Sequence, residues 1–240
     1  MTQKKIIAAI PARYSASRFP GKLMEKLGNK SVILHVFENT KNTGLFDDVL
    51  VITDSMIIFD EIGSANGKVV MSKKEHESGS DRIAEAIVDM NVDIIINVQG
   101  DEPFIKKEPL EKLVRLFDDE SVNVASLMRK ISKEEAVDPN NVKVVTDKNG
   151  DALYFSRSPI PFLRDAQNAS QYYLHVGVYA YTKDALINFT KLPVSTLEKT
   201  ERLEQLRYLE NGIKIRMAET EYQNIAIDTP EDLEKARLLI

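Results

Sequence analysis

Short apolar runs, each followed by a stretch with helical spacing, recur through the first 120 residues, and this alternation leaves few architectures open. The runs are Ile6 to Ile10, closed by Pro11, then Val49 to Thr53, Lys68 to Met71, and Asp93 to Val98 with the sequence DIIINV. Such runs, bounded by turn residues, read as buried strands. Between them, residues 31–43 carry Val32, Val36 and Phe37 behind Ser31 as an N-cap. Residues 55–66 read as a helix, and 79–90 place Ile83, Ala86, Ile87 and Met90 at helical spacing. Residues 108–119 add another helix. The order β-α-β-α-β-α-β-α predicts a mostly parallel sheet covered by helices on both faces.

The rhythm changes after about residue 120. Val122 to Met128, Val142 to Thr146, Ala152 to Phe155 and Val176 to Tyr181 read as strands joined by short or proline-containing loops such as 156–173. Helices return at 183–190 and 197–211, followed by a strand at 213–218 and a last helix at 230–239. The pattern predicts an α/β chain: a Rossmann-like core, residues 1–240 as one domain, with a β-rich insertion near 130–180. A chain of 240 residues buries enough apolar surface to fold alone.

Composition excludes several chemistries. There is no cysteine, so disulfides, thiolate metal sites and cysteine nucleophiles are ruled out, and a reducing, cytoplasmic setting fits. A net charge of −5 gives no bulk attraction to nucleic acid or to an anionic membrane. No basic-then-apolar leader precedes the first strand, and no apolar run reaches 18 residues. An acidic chain that binds phosphates must gather its cations locally.

One segment does so. IPARYSASRFPGK, residues 10–22, follows the first strand, at the carboxyl end of the sheet where ligands bind in open α/β folds. It holds Arg13, Arg18 and Lys22. An arginine forks onto two oxygens and a lysine acts as a point charge, a set that suits a triphosphate as well as it suits a solvated loop. It is not a Walker A loop, because position 16 is Ala and position 23 is Leu, and no G-x-G-x-x-G occurs. NVQGDEP, residues 97–103, ends the DIIINV strand. Asp101 there is placed to hold a hard cation such as Mg²⁺ against phosphates, and Gly100 lets backbone approach closely. In IAIDTPEDL, residues 225–233, Asp228 alone reads better as part of a helix start.

Other segments carry weaker signals. KEHESGSDR, residues 74–82, opens a helix that Ser80 or Asp81 would cap, and its small polar residues would also suit a base edge. His175 and Tyr179, in HVGVYAY, lie four apart on a strand and so face one side. YFSRSPIP, residues 154–161, places Arg157 in the insertion. In LEKTERLEQLRYLENG, residues 197–212, Leu203, Leu206 and Leu209 form an apolar stripe, and Glu201, Glu204 and Arg207 read as a solvated charge ladder.

Taken together, IPARYSASRFPGK, HESGSDR, VNVQGDEP, PNNVKVV, ALYFSRSPIP, HVGVYAY, LEKTERLEQLR and DTPEDL resemble the Kdo cytidylyltransferases (CMP-Kdo synthetases), from residue 6 to about 238. Departures are mild: Leu23-Met24 for Pro-Leu, Ser80-Asp81 for Thr-Glu, Ala180 and Ala226 for Gly, and Phe162 for Trp. The resemblance implies a nucleotide-diphospho-sugar transferase fold and transfer of cytidylate from CTP to the acid sugar Kdo. Nearby alternatives are an 8-amino analogue or a sialic acid as acceptor, or, in another class, an inactive nucleotide-binding module. It implies that Arg13, Arg18 and Lys22 hold the phosphates, that Ser78 to Arg82 lie near cytosine, and that Asp101 and Asp228 bind Mg²⁺. Lys22, Arg13 and Asp101 would be catalytic. Gln99 would stand between nucleotide and sugar, and Arg157, His175, Tyr179, Glu204 and Gln205 would line the sugar pocket, with Arg157 on the sugar carboxylate. The family is typically a homodimer joined through the insertion.

Overall fold

A computed structural model of the chain describes residues 4–15, 18–76, 78–164 and 171–240. The first half of these runs β1 (Ile6–Ala12), β2 (Lys26–Leu27), β3 (Lys30–Ser31), α1 (Val32–Asn42), β4 (Asp48–Thr53), α2 (Met56–Ser64), β5 (Lys68–Met71), α3 (Gly79–Ile87), β6 (Ile94–Asn97) and α4 (Lys107–Leu116). The second half runs β7 (Val124–Ile131), α5 (Lys133–Ala136), β8 (Lys143–Thr146), β9 (Ala152–Ser156), β10 (Tyr172–Thr182), α6 (Lys183–Phe189), α7 (Thr196–Glu201), α8 (Leu206–Glu210), β11 (Arg216–Glu219) and α9 (Pro230–Arg237).

The strands without a polar face take the middle of the sheet. The order is β11-β7-β10-β6-β1-β4-β5, with β8 paired to β10 and β9 to β8. β1 runs parallel to β4 and β6, β4 to β5, and β11 to β7, whereas β10 lies antiparallel between β6 and β7. The sheet is therefore mixed and mostly parallel, with helices on both faces. Alternation along β1 and β6 decides the two cores. Ala8, Ile10, Ile94 and Ile96 face α1, α4 and α9 through Val36, Phe37, Leu110 and Leu233. Ile7, Ala9 and Ile95 face α3, α6 and α8 through Ile83, Ile87, Leu186 and Leu206. Each of the larger side chains among them (Ile, Val, Leu, Phe), removed from water, contributes about 1.5–3 kcal/mol.

Several elements differ from expectation. The 197–211 segment is two helices, because Arg202 adopts a left-handed φ of 54° between α7 and α8. The break costs helix continuity but keeps Leu203 and Leu206 buried while turning Glu204 and Gln205 inward. β11 begins at Arg216, not residue 213. β10 begins at Tyr172 and is irregular between Val176 and Tyr179, where the partner strand advances only from Leu127 to Ser126. Two residues are thus inserted, an even number, so His175 and Tyr179 keep the same side, with ring centroids 5.3 Å apart. The small β2–β3 hairpin turns through Gly28 at φ 65° and had no pattern long enough to show in the sequence.

Gly100 fixes how closely two strand ends meet. A Cβ on it would stand 3.0 Å from the Pro11 carbonyl oxygen and 3.4 Å from Ile33 Cδ1. Neither the backbone end of β1 nor the packed face of α1 yields easily. Gly100→Ala is expected to lower stability by about 1–3 kcal/mol in urea unfolding, with an unchanged denaturant slope. An unmoved midpoint would show that the loop simply gives way.

Candidate active site

Loops after β1 and β6 and the segment entering α9 meet at one place. The loop after β1 is closed by a hydrogen bond from Gly21 N to Tyr14 O, 2.9 Å, with Gly21 at φ 75°, a conformation suited to glycine. Lys22 then begins a single 3₁₀ turn anchored by buried Leu23. This aims Lys22 Nζ at two carboxylates: it donates to Asp101 Oδ2 at 2.6 Å and to Asp228 Oδ1 at 2.9 Å. Arg18 donates to the other oxygen of Asp228 at 3.0 Å. The backbone N–H of Ile227 also donates to the Asp101 carbonyl, 2.9 Å, which ties the two acidic loops together directly. Burial opposes the ammonium charge of Lys22, but Asp101 and Asp228 outweigh it and raise its pKa.

Asp228 does not cap α9. Thr229 does, accepting from Asp232 N while the Asp232 carboxylate accepts from Thr229 N, 3.2 and 3.0 Å. The helix-start pattern was real, but its cap was the next residue, which leaves Asp228 free to face Lys22. Among the described residues no group of three or more His, Asp or Glu converges in a way that would hold a metal ion. The pair Asp101 and Asp228, both within reach of one cationic nitrogen, suits a cation that brings its remaining oxygen ligands with it.

These groups line a cavity of about 420 Å³ together with Arg13, Gln99 and Arg82. On its far side Ser78, rather than Ser80 or Asp81, caps α3, accepting from Asp81 N at 3.1 Å. Ser80 is thereby released to donate to Glu204 Oε1 at 2.7 Å. Arg82 is buried, donating to Asp54 at 2.5 Å and Ser72 at 2.8 Å. His76 is paired with Glu85 on α3, which pins the segment leading into the helix. Residues 16, 17 and 77, within the two predicted binding segments, lie outside the described residues.

A smaller cavity of about 140 Å³ shares Gly79 and Gln99 with the first. Tyr179, Glu204 and Gln205 line it, and Gln99 is held by donating to Gly177 O at 3.1 Å. His175 lies just behind. Its Nε2 is 3.0 Å from Ser126 Oγ and its Nδ1 3.5 Å from Gln205 Nε2. Ser126 has a carbonyl acceptor, Val178 O at 2.9 Å, for its own proton, so the consistent tautomer carries hydrogen on Nε2 and accepts at Nδ1. His175 keeps some accessible surface, yet no carboxylate bonds it, and burial pushes its pKa down to about 3. Burial likewise raises the pKa of Glu204, which the Ser80 hydroxyl only partly offsets.

The structure does not bring Arg157 into either cavity. Its Nε donates to Glu201 O at 2.7 Å, Nη1 to Pro139 O at 3.0 Å and Nη2 to Arg202 O at 3.4 Å. The expectation of a guanidinium free to face a sugar gives way to one that holds the turn from which Glu204 and Gln205 emerge. The solvated charge ladder is also corrected. Glu201 accepts from Ser156 Oγ and Arg157 N, Glu204 from Ser80, and Arg207 is buried in a forked pair with Glu198 above the Phe189 ring. Sequence reasoning missed Glu102, buried behind Asp101, and the cavity residues Asn97 and Tyr208. A polar residue ending an apolar strand was the available signal for Asn97; Tyr208 sat inside what read as an ordinary helical stripe.

Comparison with known proteins shows the family of the chain. The cytidylyltransferase family model matches residues 7–215. A 3-deoxy-manno-octulosonate cytidylyltransferase of Flavobacterium johnsoniae is 55% identical, covering 98% of each chain. One of Christiangramia forsetii is 54% identical over all of this chain and 98% of its own. Among solved structures, a CMP:2-keto-3-deoxy-manno-octonic acid synthetase complexed with CTP superposes with a TM-score of 0.94 at 43% identity, covering 98% of each chain.

Two buried groups give opposite acid responses. His175, with a folded pKa of about 3 against an ordinary 6.5, is protonated in the unfolded chain first, so stability falls as pH drops through that window. Glu102, pushed up to about 7 from 4.5 by burial and by Asp101, takes up its proton first in the folded chain, so stability rises as pH drops from 7 to 4.5. Between 4.5 and 6.5 the two cancel. His175→Gln removes one side of the balance. Relative to the parent, its unfolding free energy is expected to gain about 1.4 kcal/mol per pH unit on acidification below 6.5. Parallel pH profiles in metal-free buffer would mean that His175 is charged in the fold.

Proposed function

We propose that this chain, which belongs to the 3-deoxy-manno-octulosonate cytidylyltransferase family, transfers the cytidylyl group of CTP to the anomeric hydroxyl of Kdo. The products are CMP-Kdo and pyrophosphate, the former an activated sugar for lipopolysaccharide assembly. The observation that carries this reading is the convergence of Arg13, Arg18, Lys22, Asp101 and Asp228 on one cavity that adjoins, through Gln99, a second one that no lysine or arginine lines among the described residues.

Arg13 and Arg18 reach the nucleotide phosphates from the exposed rim, and Lys22 from below. Lys22 exchanges its carboxylate contacts for phosphate oxygens and so stabilises charge on the departing pyrophosphate. Asp101 and Asp228 would hold Mg²⁺, which takes one or two carboxylates plus phosphate oxygens and supplies polarisation of the α-phosphate. Ser78 and Arg82 lie at the base end, and Gln99 stands between the two substrates. The sugar oxygen forms a bond to the α-phosphorus while the bond to the bridging oxygen breaks, and pyrophosphate leaves. His175, neutral and without a carboxylate partner, orients the acceptor with Tyr179, Glu204 and Gln205; it is not the base. Rate enhancement comes from positioning and fixed charge.

The setting proposed is cytoplasmic; among the described residues no helix is long and apolar enough to cross a membrane. The assembly proposed is a homodimer joined through the insertion, where Val137, Leu153 and Phe162 expose apolar surface.

Pyrophosphate release across a panel of nucleoside triphosphates and acid sugars tests the reaction. Release is expected with CTP and Kdo together, to stop with EDTA, and to fall about 100-fold or more in Asp101→Asn. Comparable release with all four triphosphates, or near-normal turnover of Asp101→Asn in saturating Mg²⁺, would overturn the nucleotide and metal assignments respectively. Arg157→Ala loosens the 201–205 turn and is expected to raise the Kdo KM about tenfold or more, with calorimetric CTP affinity unchanged. Weakened CTP binding with an unchanged Kdo KM would place Arg157 with the nucleotide instead.

A further inference from the structure

Glu102 follows Asp101 directly, is 3% exposed, and has no part in the chemistry proposed above. An acid is almost never buried this far unless a cation pairs with it. No lysine, arginine or histidine bonds the Glu102 carboxyl among the described residues, and Asp101 beside it adds a second negative charge. An apolar side chain of the same length would fold into this place at less cost. The polar end of Glu102 therefore does something that packing does not require.

What the carboxyl touches is the segment that leads to Asp228. Asn224 Nδ2 donates to its Oε1 at 3.4 Å. Tyr222, 6% exposed, brings its hydroxyl to the same carboxyl. Neither Glu102 Oε2 nor the Tyr222 oxygen has any other partner among the described residues. Both residues are fixed where they stand. The Tyr222 ring is buried in the core that also holds Leu23 and Ile227, and its backbone N–H donates to Thr220 Oγ1 at 3.1 Å. The backbone N–H of Glu102 donates to Gln99 O at 3.3 Å, and its carbonyl accepts from Ile105 N at 3.4 Å.

One hydrogen bond between two loops is a pivot, and a second one, displaced along the chain, stops rotation about it. The bond from Ile227 N to Asp101 O, 2.9 Å, is the pivot. Glu102 with Asn224 and Tyr222 is the displaced contact, earlier in the same segment. With the pivot alone, the Asp101 loop could swing and change the angle between its carboxylate and that of Asp228. We propose that Glu102 is a positioning residue: through Tyr222 and Asn224 it sets the orientation of the Asp101 loop against the segment entering α9, and so holds both carboxylates as a divalent cation requires. Glu102 itself lines neither cavity. The inference rests on the metal role proposed for Asp101 and Asp228.

The test separates hydrogen bonding from charge and from packing. Glu102→Gln keeps the length and an oxygen for Asn224, and offers an N–H to the Tyr222 oxygen, but carries no charge. Glu102→Met keeps the length and removes the hydrogen bonding. Tyr222→Phe keeps the ring and deletes the hydroxyl. Mn²⁺ binding is followed by electron paramagnetic resonance of the free ion, with protein in excess over CTP and no acid sugar. A parent protein that binds no Mn²⁺ overturns the metal role of the two aspartates, and the positioning role with it. Given that binding, Glu102→Met and Tyr222→Phe are each expected to weaken it about tenfold, and Glu102→Gln less than about threefold. Calorimetric CTP affinity in EDTA is expected to stay constant. In metal-free buffer Glu102→Met is expected to unfold at an equal or higher midpoint, because it removes a buried acid that has no cationic partner. Three results would each overturn the positioning role: unchanged Mn²⁺ affinity in Glu102→Met and Tyr222→Phe, a loss in Glu102→Gln as large as in Glu102→Met, or losses that follow the unfolding midpoint across the three variants.

Discussion

The ammonium of Lys22 between Asp101 and Asp228 is the contact on which the rest of the site depends. It joins residues 79 and 206 positions apart along the chain. Two carboxylates brought together inside a protein repel, and each favours its charged form less as the other approaches. A single partly buried lysine relieves that repulsion and fixes the separation of the acidic loops. The backbone bond from Ile227 to Asp101 sets the same separation independently of charge. Lys22 can therefore exchange its carboxylates for phosphate oxygens, on the proposed reaction, without the loops drifting apart. Gly21 and buried Leu23, on either side of it, determine where the lysine starts from.

The second cavity depends on a different constraint, the antiparallel strand β10 lying between two strands that run the other way. β10 pairs with β6 through Tyr179 opposite Asn97, so a residue of the insertion strand stands directly beside the end of the central strand. The same strand continues to Tyr172 and carries the β8–β9 pair beyond it. One strand thus belongs to both the core sheet and the insertion. The irregularity at Gly177 turns its carbonyl toward Gln99 and, by inserting an even number of residues, leaves His175 and Tyr179 on the same face. The glycine meets nothing within 4 Å of where a Cβ would stand, so the bulge, not crowding, sets this geometry.

What the sequence revealed divides along the same line. Strand and helix order in the first half was legible because each element has its own local pattern: apolar runs for β1 and β6, a Ser31 cap for α1. Asp101 was legible because a carboxylate at the end of a fully apolar strand has no packing role. Asp228 was not, since Thr229 and Asp228 are equally good helix starters on paper and only the fold says which one caps. The charge ladder at 197–211 failed for a related reason. Helical spacing describes one continuous helix, and the left-handed turn at Arg202 breaks the phase that the spacing assumed. Arg207 then finds Glu198, not solvent, and Glu204 finds Ser80. Arg157 could be placed in the insertion by its motif, but its hydrogen-bond partners are carbonyls of residues 139, 201 and 202, which no side-chain pattern encodes.

These pieces resolve an apparent contradiction in charge. The chain carries a net −5, and both substrates of the proposed reaction are anions. Long-range attraction cannot recruit them at physiological ionic strength, where fields fade within about 8 Å. Selection must therefore be local, and the two cavities differ in the local sense. Among the described residues, three arginines and one lysine, Arg13, Arg18, Arg82 and Lys22, line the larger cavity. None lines the smaller one among the described residues, where tyrosines, amides and a carboxylate with a raised pKa take their place. The cationic side chains that could select an anionic group thus stand on one side of Gln99 only.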